Sequence, residues 1–180
     1  MSRKKELFMA KSKIEYFYIG IDPGLSGYIV VISQEGILLH SFPMPIIKGK
    51  KNDLNLIALF DYFDNFSTSA DIKLAVLEKV HAFPGQGVTS MFRFGECFGA
   101  IQMVLTGNRI PYQLVTPQAW QKVMLAGENK KGDKSASIKV AQRLFPDVDL
   151  RRTERCTTPD HNKADALLLA EYGRRLVGGK

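Results

Sequence analysis

The sequence predicts an α/β domain in which a mixed sheet carries helices on both faces. Three observations point there. Three short runs rich in β-branched and aromatic residues follow one another between Tyr16 and Phe42, separated by tight-turn residues. Later runs of the same kind alternate with stretches of helical periodicity. The chain has 180 residues, 45% of them apolar, and no internal repeat, which is enough material for one sizeable core and too little for two domains.

The first run, Tyr16 to Ile21, ends at Asp22-Pro23-Gly24; the second, Gly27 to Ser33, ends at Gln34-Glu35-Gly36; the third covers Ile37 to Phe42. Runs joined by such turns predict a three-strand antiparallel meander. Pro43 to Lys51, with two prolines and three lysines, is expected to cross the surface as a loop. Leu54, Ile57, Ala58, Phe60 and Tyr62-Phe63 approximate helical spacing, which gives a helix over Asp53 to Phe66 with Asn52 or Asp53 as its N-cap. Lys73 to Glu78 reads as a strand, and His81 to Thr89 as a loop around Pro84-Gly85-Gln86-Gly87. Apolar residues at Met91, Phe94, Phe98, Ile101, Met103 and Leu105 predict an amphipathic helix over Ser90 to Thr106, closed by Gly107. Tyr112 to Val115 is a short strand. Pro117 to Met124 and Lys134 to Leu144 read as helices on either side of a basic, glycine-containing segment, and the last helix runs from Asn162 to Leu176. Residues 1–13 hold five basic side chains and little apolar periodicity, so they read as a flexible basic arm ahead of a domain spanning 14–180.

Composition narrows the function classes. No run approaches the roughly 18 to 20 apolar residues of a membrane span, and the N-terminus lacks a signal-peptide pattern, so a soluble, intracellular protein is expected. Cys97 and Cys156 form no C-x-x-C pair and have no histidines at zinc-finger spacing, which predicts reduced thiols. The net charge of +7 favours a polyanionic partner, because each neutralised phosphate releases counterions.

Three carboxylates have a common setting. Asp22 ends the first strand, Glu78 ends the run Leu74-Ala75-Val76-Leu77, and Asp165 precedes Ala166-Leu167-Leu168-Leu169-Ala170 in the last helix. Brought to one sheet edge, they would supply the hard oxygen ligands that magnesium prefers and that a two-metal phosphodiesterase requires. His161 lies four residues before Asp165, hence on the same helix face. Each residue also has a plainer role: Asp22 as a turn residue, Glu78 paired with a neighbouring cation, Asp165 in a helix salt bridge, and His161 or Asp160 as a helix-start polar group.

The segments Ile19-Gly20-Ile21-Asp22-Pro23-Gly24-Leu25-Ser26-Gly27, Leu77-Glu78-Lys79 and Asp160-His161-Asn162-Lys163-Ala164-Asp165-Ala166 together resemble, in order, the motifs of RuvC-type Holliday-junction resolvases of the ribonuclease H-like superfamily. The loop Ala82-Phe83-Pro84-Gly85-Gln86-Gly87 and the helix start Asp160-His161 bring the pattern nearest the plant chloroplast resolvases. The resemblance implies a ribonuclease H-like mixed sheet, the antiparallel meander followed by parallel strands. It also implies a structure-selective DNA endonuclease, a homodimer that resolves a four-way junction by paired symmetric nicks and leaves 5′-phosphate and 3′-hydroxyl ends. Asp22, Glu78 and Asp165 would hold two Mg2+ ions per site, with Mn2+ able to substitute. Bacterial members often carry Asp or His three residues before the final Asp, where this chain has Asn162, so the fourth role passes to His161.

For DNA contact the resemblance points to Phe83, which either stacks on a base or lies as a lid over the core, and to Gln86 beside it. Lys130, Lys131 and Lys134 fall where family members place lysines near the scissile phosphate, and Lys122 is a further candidate. The helix 90–106 would form the dimer contact, its Phe and Met content exceeding one core face, although core packing competes for the same stripe. The carboxylates leave open another ribonuclease H-like nuclease, acting on flaps, RNA–DNA hybrids or in transposition, and a junction-binding module without catalysis. An actin-like ATPase shares the strand-Asp-Gly opening, but the chain is too short for two nucleotide-closing lobes.

Overall fold

A computed structural model describes residues 15–69, 71–79, 85, 87–128 and 135–178. The basic arm, Phe83, Gln86, Lys130, Lys131 and Lys134 lie outside the described residues. Strands β1 (Tyr16–Asp22), β2 (Tyr28–Ser33) and β3 (Leu38–Pro43) form the expected antiparallel meander. After a small pair, β4 (Ile46–Ile47) and β5 (Asp53–Leu54), come α1 (Leu56–Ser69), β6 (Asp71–Glu78), α2 (Val88–Gly107), β7 (Tyr112–Val115), α3 (Pro117–Met124), α4 (Ser135–Leu144) and α5 (His161–Gly178). The main sheet has the order β3-β2-β1-β6-β7, with β6 parallel to β1 and β7 parallel to β6. This is the mixed sheet that the sequence predicts.

Side-chain alternation divides the core into two layers. Tyr18, Leu74 and Val76 face one side with Tyr28, Val30 and Ile32, where they pack on α3, α4 and α5. Ile19, Ile21, Ala75 and Leu77 face the other side with Ile29 and Val31, against Leu59 and Phe63 of α1 and Cys97, Ile101, Val104 and Leu105 of α2. Because β1 and β2 are covered on both faces, they read as unbroken apolar runs.

The α5 helix lies directly on β1 because Gly20 has no side chain. A methyl group there would run into the Ala166 carbonyl and the Ala170 backbone nitrogen. About one helical turn beyond Ala170, a methyl at Gly173 would stand 2.7 Å from Val76 Cγ2, so α5 also packs closely over β6. The same end is tied to the β2–β3 turn: buried Glu171 accepts hydrogen bonds from Arg174 and Arg175, and Arg174 donates to the Gln34 carbonyl at 3.2 Å.

Two expectations are corrected. The lysine-rich connection after Pro43 contains a hairpin-like pair in which Ile46 opposes Leu54 and Ile47 opposes Asp53. Leu54 packs on the second core layer, and the Asn55 N–H bonds the Pro45 carbonyl at 2.9 Å, so apolar contact overrides the turn-forming composition. Asp53 therefore belongs to β5, and α1 is capped by Asn55, whose Oδ1 accepts from the Ala58 N–H at 3.1 Å.

Gly20→Ala is expected to destabilise the chain by about 3 kcal/mol, the upper end of the usual cost of overpacking, because both colliding groups are helix backbone and cannot turn aside. Urea unfolding of the variant beside the original chain measures this, and a loss below about 1 kcal/mol would mean that α5 does not lie on β1 in this way.

Candidate active site

β1 and β6 are parallel neighbours in the register Ile21 to Leu77, and each strand contributes a carboxylate at its next position, Asp22 and Glu78. Both positions alternate onto the face that α5 covers, since Tyr18 and Gly20 of β1 and Leu74 and Val76 of β6 point there. Asp165 immediately precedes Ala166, whose carbonyl sits over Gly20. Strand register and helix seating thus bring together residues separated by up to 143 positions along the chain.

The charges register this proximity. Burial pushes the Asp22 carboxyl well above its usual range, and the negative charges of Glu78, Asp165 and Asp160 push it further, partly offset by Arg152. Burial likewise raises Glu78, opposed by a hydrogen bond from Trp120 and assisted by Asp165. Asp165 is pushed up to about 6 by burial, against a hydrogen bond from Ser137 and with a further push from Asp160. Its Oδ1 is buried and has no hydrogen-bond partner, a group that costs free energy unless something meets it.

Donors from the surrounding helices frame the three acids. Thr116 caps α3 by accepting from the Ala119 N–H, and Pro117 opens the helix, which turns back over the end of β6. Trp120, fully buried on α3, donates its indole N–H to Glu78 Oε1 at 2.7 Å. Ser137, on α4, donates to Asp165. Arg152 reaches from the loop before α5 to the Ser26 carbonyl at 3.0 Å and to Asp160 Oδ2 at 2.8 Å, while Asp160 Oδ1 accepts from the Asn162 N–H as the helix cap. One guanidinium thus links the turn after β1 to the start of α5.

Of the expected site residues, Asp22, Glu78 and Asp165 are brought together. His161 is the first residue of α5 and is exposed, and Lys122 is exposed in the last turn of α3. Trp120, Ser137 and Arg152 were not legible as site residues. A lone tryptophan in a short amphipathic helix reads as core, and neither serine nor arginine stands in a recognisable motif.

All three convergent groups are oxygen donors with the same charge, and one buried oxygen lacks a partner. That chemistry suits a hard divalent cation. As they stand the three are electrostatic neighbours and not a closed cage: among the described residues no three His, Cys, Asp or Glu side chains form a ready ligand set.

No family model matches the sequence, and no curated protein is similar to it at the sequence level. Among solved structures, RuvC of Thermus thermophilus superimposes with a TM-score of 0.57 at 13% identity, covering 92% of this chain and 97% of that one. The T. thermophilus RuvC solved in complex with a Holliday junction substrate gives 0.56 at 13% identity, with 92% and 96% covered. The chain has the fold of RuvC. It is a ribonuclease H-like mixed sheet, and the likeness extends over nearly the whole of both proteins. Among the described residues no helix is long and apolar enough to cross a membrane.

The raised acids give a pH signature. A carboxyl whose value is higher in the folded than in the unfolded chain adds stability fully below its ordinary value, and that stability is lost as pH rises through the folded value. For Asp165 the loss runs from its ordinary value up to about 6. With chelator present, Asp165→Asn should therefore melt higher than the original chain at neutral pH, with the gap closing in acid. Thermal unfolding across pH checks this, and a gap independent of pH would remove Asp165 from the crowded site.

Proposed function

We propose that this chain is a metal-dependent DNA endonuclease that resolves four-way junctions by paired symmetric nicks. The observation that carries the reading is the convergence of Asp22, Glu78 and Asp165 at one sheet edge within a RuvC fold. The motif pattern around Asp22, Phe83 and His161 favours the plant chloroplast branch of those resolvases. Asp22, Glu78 and Asp165 would hold Mg2+, or Mn2+ in its place, two ions per site, with His161 assisting from the start of α5. Such ions, when bound, supply charge neutralisation at the phosphate and a water of lowered pKa.

The residues of the chain do the rest. The three acids stand as electrostatic neighbours, and burial keeps competing water low, which strengthens the attraction for a cation. Burial also raises all three acids, Asp165 to about 6, so cation binding releases protons and strengthens as pH rises. Lys122 lies exposed two residues beyond Trp120, on the side of α3 away from the core, and suits a phosphate contact. Phe83 and Gln86 follow Glu78 closely in sequence, and Lys130, Lys131 and Lys134 lead into α4, which carries Ser137. By the family resemblance these would be further DNA contacts. The net charge of +7 supports a polyanionic substrate.

Two cuts need two sites. The α2 helix buries Cys97, Ile101, Val104 and Leu105 but leaves Phe92 and Met103 about two-thirds exposed, more apolar surface than a single core face requires. Leu56, Ile57, Phe60, Ala100 and Met103 line one apolar groove between α1 and α2. This surface supports the reading of a homodimer through α2.

A panel of four-way junction, flap, RNA–DNA hybrid and linear duplex, each with Mg2+, tests the reading. Symmetric paired nicks on the junction are expected. Asp22→Asn should lower nicking by about 100- to 1,000-fold, the scale at which an enzyme loses an essential charge-stabilising group, while junction binding persists. Preferential cleavage of hybrid or flap would replace the substrate assignment, and nicking unchanged in Asp22→Asn would remove Asp22 from the chemistry.

A further inference from the structure

Trp120 is the only tryptophan in the chain and has no exposed surface. Its ring fills the core layer with Met124, Val140 and Leu168, while its one polar atom leaves that layer to meet Glu78 Oε1 at 2.7 Å. The bond spans 42 residues, from the helix after β7 to the end of β6. An indole N–H only donates, so it takes up one carboxylate oxygen whether or not Glu78 is protonated. Unlike a serine hydroxyl, which rotates to suit its surroundings, the indole is locked by packing on every side. It therefore fixes where the Glu78 carboxylate points, and the other oxygen is not engaged by the ring.

The support behind Trp120 is equally firm. The backbone of β7 places Val115 opposite Glu78, the Lys79 N–H donates to the Val115 carbonyl at 2.7 Å, and Thr116 caps α3 one residue later. The acceptor thus stands at the end of β6 and the donor on the helix that follows the adjoining parallel strand, with three residues between the cap and Trp120. Side chains that orient a metal ligand in this manner commonly change metal affinity by about 10- to 100-fold when removed.

We propose that Trp120 is a positioning residue for the cation site, its indole N–H orienting Glu78 as a ligand. The proposal rests on the reading of Glu78 as a cation ligand. Being fully buried, Trp120 offers no surface to DNA or solvent, and its one polar contact is with Glu78.

Isothermal titration of Mn2+ into the full-length chain provides the test, in the order original chain, Glu78→Gln, then Trp120→Phe. Phenylalanine keeps an aromatic ring in the core and removes the N–H. Glu78→Gln should bind Mn2+ more weakly than the original chain, and Trp120→Phe should lose about 10- to 100-fold in affinity. In nicking assays Trp120→Phe should lower kcat and leave KM for the junction unchanged. A second measurement needs no variant at position 120: Mg2+ titrated into the original chain should change the emission of its single tryptophan, and the change should vanish in Glu78→Gln. Equal Mn2+ affinity in the original chain and Glu78→Gln would overturn the ligand reading and the proposal with it. A ligand role for Glu78 together with Mn2+ affinity unaltered in Trp120→Phe would overturn the proposal alone. If Trp120→Phe does not fold, emission of the original chain unmoved by saturating Mg2+ would do so.

Discussion

The contact between α5 and β1 at Gly20 is the constraint on which the rest depends. A helix normally stands off a sheet by the length of the side chains between them; here a missing side chain lets the backbone of Ala166 and Ala170 meet the strand. That brings Asp165, one residue before Ala166, down to the rim where β1 ends. The strand pair β1–β6 then needs only its parallel register to place Asp22 beside Glu78. Three acids from distant parts of the sequence share one corner because one glycine removes a layer of packing.

The corner is electrostatically costly, and the fold is arranged to tolerate it. Each acid is raised by burial, and each is repelled by at least one other carboxylate. The remedies are specific: Trp120 donates to Glu78, Ser137 donates to Asp165, and Arg152 offsets the charge at Asp22 while pairing with Asp160. Elsewhere in the molecule, a buried acid is fully compensated, as Glu171 is by two arginines that hold it below the usual carboxylate range. The contrast separates an acid that secures the fold from acids left hungry for positive charge. Sites of this second kind concentrate where proteins do chemistry.

Much of this was legible in the sequence, for reasons that can be named. The meander, β7 and α3 carry strong local signals: short apolar runs bounded by Asp-Pro-Gly and Glu-Gly, and a Thr-Pro helix start. Asp22, Glu78 and Asp165 were legible because each adjoins an apolar run that fixes its element. The β4–β5 pair was not, because two-residue strands have no periodicity and their pairing is decided by Leu54 reaching the core. The Asn55 cap was hidden by the same error, since the helix was read as starting three residues early. Trp120, Ser137 and Arg152 were missed because their roles lie wholly in long-range contacts. An indole buried for packing and an indole aimed at a carboxylate look identical in a sequence.

The central claim is that Asp22, Glu78 and Asp165 form one cation-binding centre. Diffraction from crystals grown with Mn2+, recorded at the manganese absorption edge, locates such ions by their anomalous signal without reference to activity. Anomalous peaks are expected between these three carboxylates, with Asp165 Oδ1 among the ligands. Manganese bound elsewhere at saturating concentration, with the three acids apart and unliganded, would contradict it.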